Sequence, residues 1–423
     1  MRSRLVTVFL IVLVDLIGFG VILPLLPFYA SDFGATPVQV GLLYSVFSVA
    51  QLFFSPIWGS LSDRIGRRPV MLISTLGAAA AYIVFGLAET LTMLFVARAI
   101  AGVMGGNIAT AQAYIADSTT PENRARGMGL LGAAFGLGFV LGPAIATGLI
   151  HPAFQQIFVN AGWTGAAEFI ADNRLSLPAY AAAFLSLASF GLVWFKMEET
   201  VVPGAHVAQG NVRQGFFTLQ YWKELPLGDV NVRWIFVSFF LLSFGQASLY
   251  SAFPLYCEAV LGMNAEQVGI QFFFVGIVTV VTQGVLIRPL TSMFREESLF
   301  LTGNILMVAG LAGLGFSTET WVFTAFLLLM AFGNSLNAPT VTSLMSKAAD
   351  PSRVGTVMGA AQGLGGLGRS IGPTWGGALF GVMFGLPFMA TAVVMLLTVA
   401  AGVKVKGALS DPHRVRVLMN GEW

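Results

Sequence analysis

The stretch Gly129–Pro143, GLLGAAFGLGFVLGP, and the stretch Gly359–Pro373, GAAQGLGGLGRSIGP, spell one glycine code. Gly129, Gly138, Gly142 and Pro143 in the first match Gly359, Gly368, Gly372 and Pro373 in the second, and every matched pair is separated by the same length of chain. The sequence therefore carries an internal repeat of roughly half its length. The code sits in intensely apolar sequence, where small residues are the main way for helices to approach closely in lipid. That points to a duplicated helical membrane protein.

Composition agrees. With 56% apolar and 10% charged residues over 423 positions, and a mean hydropathy of +0.80, the chain has too little polar surface for one soluble domain. A bilayer-spanning helix needs about 20 mostly apolar residues. Hydropathy supplies about twelve such runs, six between Leu5 and Phe195 and six between Trp234 and Val403. The expected organisation is an N-terminal six-helix bundle over 1–197, a cytoplasmic linker over 198–231, and a C-terminal six-helix bundle over 232–423 with a short cytoplasmic tail. The first run lacks a small-residue cleavage site and reads as a retained helix, not a signal peptide. The single cysteine, Cys257, excludes an internal disulfide and a multi-cysteine metal cluster. His151, His206 and His413 fall in separate loops or tails, so neither a metal nor a cofactor is expected.

Charge placement tests the span count. With a cytoplasmic N-terminus, 19 of the 22 Lys and Arg residues fall on inner segments; Arg174 lies outside, and Arg98 and Arg369 lie within spans. So steep a bias is the positive-inside pattern, which puts both termini in the cytoplasm. The net charge of +2 then reflects membrane orientation and gives no basis for a nucleic-acid partner.

Two connecting segments stand out. Phe216, Phe217, Leu219, Tyr221, Trp222 and Leu225 in the linker fit either a short helix on the inner leaflet or an irregular tether with aromatic anchors. The outer segment His151–Ser176 fits either a structured loop or an interfacial helix shaping the outer entrance. The halves also match in Pro27-Phe28-Tyr29 followed by Gln39-Val40-Gly41, against Pro254-Leu255-Tyr256 followed by Gln267-Val268-Gly269.

GSLSDRIGRRP, Gly59–Pro69, resembles the signature between the second and third helices of the major facilitator superfamily. Arg98 followed by Gly102 and Gly106 resembles its fourth-helix motif, and the first glycine code resembles the fifth-helix motif associated with antiporters. With DLIGFGVILPLLP, Asp15–Pro27, nearly the whole chain is similar to the twelve-span drug and proton antiporter branch, especially tetracycline-resistance-type exporters. The resemblance implies an all-α fold of two pseudo-symmetric six-helix bundles around a central cavity, in a bacterial inner membrane. Those exporters carry an acid in the third helix, where Ala81 stands here, and another in the ninth near Met307. Their fifth-helix motif also continues into two glycines, replaced here by Ala146-Thr147, whereas the eleventh helix keeps Gly376-Gly377.

Intramembrane charge marks the expected pathway, since a charge at depth is costly unless paired or facing water. Asp15 and Arg369 lie deep in the first and eleventh spans, and Arg98 is shallower in the fourth. These three, with Gln246, Gln362 and Asn334, are the candidate proton-coupling and cavity residues; Gln51, Asn107, Gln112, Gln283 and Asn337 are further polar groups in spans. Gly59, Asp63, Arg64, Gly66, Arg67 and Arg68 form the candidate gate. There Asp63 either caps a neighbouring helix or pairs with a basic residue across the inner gate, and the arginines double as topology charges. Asp63 is expected to stabilise an outward-facing state, and the Gly-Pro pairs serve packing and bending. A membrane enzyme would need a nucleophile, base or metal cluster, and none appears.

The resulting expectation is a monomeric secondary transporter moving a small-molecule or lipid-like substrate by alternating access, surrounded by membrane lipids. Proton-coupled export of an amphipathic organic compound is preferred, with the proton gradient as energy source and Asp15 as the coupling acid. A lipid flippase, or a metabolite symporter or uniporter of the same fold, is the alternative.

Overall fold

Inside hydrocarbon every backbone N–H and C=O must find a partner within the protein, so isolated apolar runs of this length fold as helices. The computed structural model describes residues 2–201, 225, 230–348 and 354–409. Eleven helices among them are long and apolar enough to cross a bilayer. A further 29-residue helix, Val354–Val382, has the length of a span, but glycines, Pro373 and Arg369 dilute its apolar content. In order, the twelve spans are Arg2–Ile22, Pro37–Ile65, Arg67–Gly86, Leu91–Asp117, Pro121–Ile150, Leu177–Lys196, Val230–Ala259, Ala265–Met293, Glu296–Leu314, Thr320–Ala348, Val354–Val382 and Leu386–Leu409.

Three spans depart from the uninterrupted runs that hydropathy suggests. The first ends at Ile22, and after a turn a short helix, Leu26–Asp32, follows. Pro24 and Pro27 both lack the N–H that would continue the helix. The seventh span keeps Pro254, the counterpart of Pro27, yet stays helical, because Ser251 stands where the first half has Pro24. The fourth span tightens into a single 3-10 turn at Gly105–Asn107 before resuming at Ile108. The eighth contains a π-turn at Thr282–Leu286.

The repeat noted at Gln39 and Gln267 has a physical basis in helix capping. Thr36 N donates to Gln39 Oε1 (2.8 Å), and Gln39 N reaches Thr36 Oγ1 (3.4 Å). Asn264 and Gln267 repeat the exchange, at 3.0 and 2.9 Å. Each is a reciprocal capping box that satisfies two orphan donors at the start of a span.

Chain contacts divide the molecule into two compact units, Met1–Val212 with Phe253–Gly276 and Arg213–Ala252 with Ile277–Trp423. In the first unit the first span packs on the fifth and sixth, the third on the sixth, and the second on the fourth. Val8, Ile11, Val12 and Leu16 meet Met71, Tyr114, Leu131 and Val193 in its core. In the second unit the ninth span packs on the tenth and twelfth, and the seventh meets the eleventh. The pairs third–sixth and ninth–twelfth, like first–fifth and seventh–eleventh, are thus related by a shift of six spans.

The glycine code makes these seams. A Cβ on Gly138 would fall 2.6 Å from Leu16 Cβ, and one on Gly142 would fall 2.6 Å from Gly20 Cα. On the eleventh span, a Cβ on Gly368 would fall 2.7 Å from Phe240 O, and one on Gly372 would fall 2.6 Å from Phe244 O. Gly376 continues the second seam against Ser248, and Ser251 Oγ donates to Pro373 O (2.7 Å). Pro143 and Pro373 both lie inside their helices. Gly129 and Gly359 lie within the same helices.

The outer segment forms two short helices, Pro152–Asn160 and Thr164–Asp172. Ile157, Trp163 and Phe169 on it are exposed, an arrangement suited to an interface. Within the same unit, Glu266 at the start of the eighth span reaches His151 Nε2 (3.4 Å) and Arg174 Nη2 (3.9 Å). The linker stretch from Phe216 to Leu225, read either as a short helix or as an irregular tether, lies outside the described residues apart from Leu225, which is buried.

Candidate functional site

Asp15 enters the core of the first unit from the middle of the first span. Its Oδ2 accepts from Asn107 Nδ2 (2.9 Å). Its Oδ1 is shielded from solvent and has no hydrogen bond. Asn107 sits in the 3-10 turn of the fourth span, only 6% exposed, and donates a second bond to Ser74 Oγ of the third span (3.0 Å). Ser189 of the sixth span lies beside the same carboxyl, but its hydroxyl is directed at Ile11 O (3.4 Å). Four spans therefore converge on one acid.

Arg98 is buried on the fourth span and has no ion pair among the described residues. Its guanidinium carbon lies 4.4 Å from the Phe47 ring centroid and 5.9 Å from those of Phe19 and Tyr44. Its Nε donates to Leu43 O (3.3 Å). The arginine thus ties the fourth span to a carbonyl of the second. A cation on aromatic faces is worth about 2 kcal/mol when desolvated. Tyr82, packed against Gly18, lies within electrostatic reach of both Asp15 and Arg98. Ala81, where the resemblance implies an acid, is buried in an apolar cluster with Phe47 and Ala101.

The second unit holds a matching set of polar groups with a different character. Arg369 is partly buried on the eleventh span, within electrostatic reach of Tyr250. Gln246 and Asn334 are partly buried, whereas Gln362 is exposed. Asn337, which the sequence left unassigned, is fully buried and donates to Asn304 Oδ1 (3.1 Å), and Asn304 donates to Thr398 O (3.4 Å). That chain links the tenth, ninth and twelfth spans close to the buried Met307. Neutral amides there bridge helices near the place where the resemblance implies an acid.

The motif between the second and third spans is an ion network. The second span ends at Ile65, Gly66 turns the chain at φ 104°, and the third span begins at Arg67. Arg67, 6% exposed, binds Asp63 Oδ1 (2.6 Å), Asp117 Oδ2 (3.0 Å) and Ser62 Oγ (2.6 Å). Asp63 therefore pairs within its own turn. The capping role weighed for it belongs to Glu199, whose carboxylate accepts from Arg67 N (2.9 Å) and Arg68 N (3.0 Å) and so closes the N-terminus of the third span. A side chain at Gly66 would collide with that carboxylate. Arg68 Nη2 donates to Trp194 O (2.6 Å), Thr200 Oγ1 to Asp117 Oδ2 (3.1 Å), and Arg4 Nε to Glu198 Oε2 (2.8 Å). Arg64 is exposed, and Gly59 has ordinary clearance, 3.8 Å from Ala109 Cβ. Sequence reasoning missed Asp117, Glu198 and Glu199, although Glu198-Glu199-Thr200 directly after a span is a readable signal.

Among the described residues no group of His, Cys, Asp or Glu is placed to hold a metal ion. The arrangement offers instead a shielded carboxyl, a buried arginine on aromatic rings, close helix seams and a stapled inner turn.

Comparison with known proteins gives the same picture. The family model described as Major Facilitator Superfamily matches residues 8–373 and 285–414. The class G tetracycline resistance protein of Vibrio anguillarum is 30% identical over 392 residues, covering 91% of this chain and 92% of that protein. Multidrug resistance protein 2 of Bacillus subtilis (strain 168) is 28% identical over 402 residues, covering 92% and 93%. The crystal structure of the human organic anion transporter MFSD10 (TETRAN) superimposes with a TM-score of 0.70 at 24% identity, over 95% of this chain and 99% of that one.

Proposed function

The chain belongs to the Major Facilitator Superfamily and is a multi-pass secondary transporter, and from that premise we propose that it exports an amphipathic organic compound in exchange for protons. The observation that carries the reading is Asp15, an acid in the middle of a span with one oxygen anchored by Asn107 and the other bare. A carboxyl so held takes up and gives back a proton with little rearrangement of its neighbours. The similarity to tetracycline and multidrug resistance proteins supports the direction of transport. Ala81 and Met307, standing where acids occur in tetracycline exporters, favour a different compound. The steep inward bias of basic residues supports cytoplasmic termini, and the bacterial relatives support a plasma-membrane location.

A second reading has its own support. Neither Arg98 nor Arg369 has a carboxylate partner among the described residues, and a buried arginine without one favours an anionic metabolite or lipid headgroup as cargo. Transport into proteoliposomes, across a panel of cationic, neutral and anionic amphiphiles with and without an imposed proton gradient, separates the two. Gradient-driven accumulation of cationic or neutral compounds supports export, and anion selectivity supports the second reading.

A further inference from the structure

The 3-10 turn in the fourth span is built by specific contacts. Gln51 Nε2 donates to Gly105 O (2.9 Å), and Trp58 Nε1 donates to Val103 O (2.6 Å). Gly106 lies so close to the second span that a Cβ there would fall 2.8 Å from Trp58 Cδ1 and 3.0 Å from Ser55 N. These contacts turn Asn107 into the core, and hydrogen bonds on both sides fix which way its amide faces. Ser74 Oγ donates its only proton to Met71 O (3.1 Å), so towards Asn107 it accepts. The amide nitrogen must therefore face Ser74, and its second N–H faces Asp15 Oδ2. Flipping the amide would set its carbonyl against a carboxylate oxygen and strand Ser74.

This orientation does not depend on whether Asp15 is ionised. Oδ2 stays the acceptor in both states, because a carbonyl oxygen accepts the Asn107 N–H more strongly than a carboxylic hydroxyl oxygen would, which favours the proton on Oδ1. We propose that Asn107 is the positioning residue of the coupling acid: it reserves Oδ2 as a hydrogen-bond acceptor and leaves Oδ1 as the atom that takes and releases the transported proton. In the protonated state Oδ1 carries the hydrogen, and Asn107 keeps its bond to the carbonyl oxygen. In the ionised state the proton has left Oδ1 and the Asn107 bond holds the carboxylate in place. Apart from the charged residues at the span ends (Arg4, Arg67, Arg68, Asp117 and Lys196), the other ionisable side chains on the first, third, fourth and sixth spans are Tyr82 on the third, Arg98 and Tyr114 on the fourth, and Tyr180 on the sixth. Tyr180 donates to Gly86 O, Tyr114 lies near Arg4 and Glu198, and the fifth span from Leu130 to Ile150 has no ionisable residue. The inference rests on the reading that Asp15 couples transport to protons.

The test uses the full-length protein in proteoliposomes, with Asp15→Asn, Asn107→Ala and Ser74→Ala beside the wild type. Asn107→Ala should leave downhill counterflow largely intact and move the pH of half-maximal proton-driven transport upward by about one unit, a tenfold change in proton affinity. The sign follows because a hydrogen bond donated to a carboxylate favours its charged form. In infrared difference spectra the protonated Asp15 carbonyl band should shift to higher frequency in Asn107→Ala, since its Oδ2 loses a donor. Ser74→Ala should show a smaller change of the same sign, and it carries the test if Asn107→Ala does not fold. An unchanged pH profile and carbonyl band in these variants, with Asp15→Asn uncoupled, would overturn the role of Asn107 alone. Retained coupling in Asp15→Asn would overturn the underlying reading as well.

Discussion

Gly142 of the fifth span lies against Gly20 of the first so closely that a Cβ on Gly142 would sit 2.6 Å from the Gly20 Cα. Gly372 of the eleventh span repeats the approach on the seventh, with Ala247 Cβ at 3.1 Å from the equivalent point. The atoms in the way are largely backbone, which cannot rotate aside as a flexible side chain can. The code quoted at the outset is therefore a statement about backbone proximity, written twice.

Replacing Gly142 or Gly372 by leucine is expected to force the seams apart and abolish transport. Alanine should also be costly here, by about 1–3 kcal/mol as for other overpacked sites. Thermal unfolding in detergent, beside uptake by the same preparations, checks this; full stability and full transport in both alanine variants would mean the seams are looser than described.

The inner turn is expected to respond unequally to the loss of its partners. Arg67→Ala leaves Asp63 and Asp117 facing one another without a cation, so it should destabilise the protein more than Asp63→Asn, which removes one partner of three. Glu199→Ala should cost about 1 kcal/mol, the usual value of a lost helix cap. Melting temperatures rank the three, and spin-label distances across the inner face report whether Asp63→Asn also shifts the conformational population inward. An unchanged distribution with normal transport would remove Asp63 from gating.

At the outer face, Glu266→Gln should release the segment 152–172, because both His151 and Arg174 depend on that one carboxylate. Half-exposed pairs of this kind are worth about 0–1 kcal/mol each, so the change belongs to local opening and not to global stability. Faster amide exchange in the two outer helices is the expected result. Exchange as slow as in the wild type would show that apolar contacts alone hold the segment.

Much of this was legible in the sequence because a membrane simplifies the reading. Length and hydropathy mark the spans, and the glycine code marks where two helices touch. Which helices they are was not legible: a small residue says that something comes close, and only the fold says that Gly138 meets Leu16. The sequence put Asp15 at depth but left Asn107 as one polar residue among several, since the face a residue occupies depends on a 3-10 turn that Gly105-Gly106 permits without requiring. The break at Gly105–Asn107 escaped for the same reason, whereas the one at Leu23–Leu25 was open to reading from Pro24 and Pro27. At the inner face the motif from Gly59 to Arg68 was legible, but its acidic partners Asp117 and Glu199 come from distant segments of chain.

Arg98 is expected to tolerate no substitution that keeps only its charge. Lysine cannot spread over Phe47 while donating to Leu43 O from a planar group, so Arg98→Lys should retain membrane insertion and lose most transport. Substrate uptake normalised to folded protein measures it, and wild-type uptake by the lysine variant would reduce Arg98 to a positive charge.

The most direct test of the account is uphill transport by Asp15→Asn in proteoliposomes under an imposed proton gradient. The wild type should concentrate substrate against its gradient. The Asn variant should exchange substrate downhill and fail to concentrate it at any pH, because its side chain cannot carry the proton. Accumulation by the Asn variant to the wild-type level would contradict coupling at Asp15 and would place the energy source elsewhere.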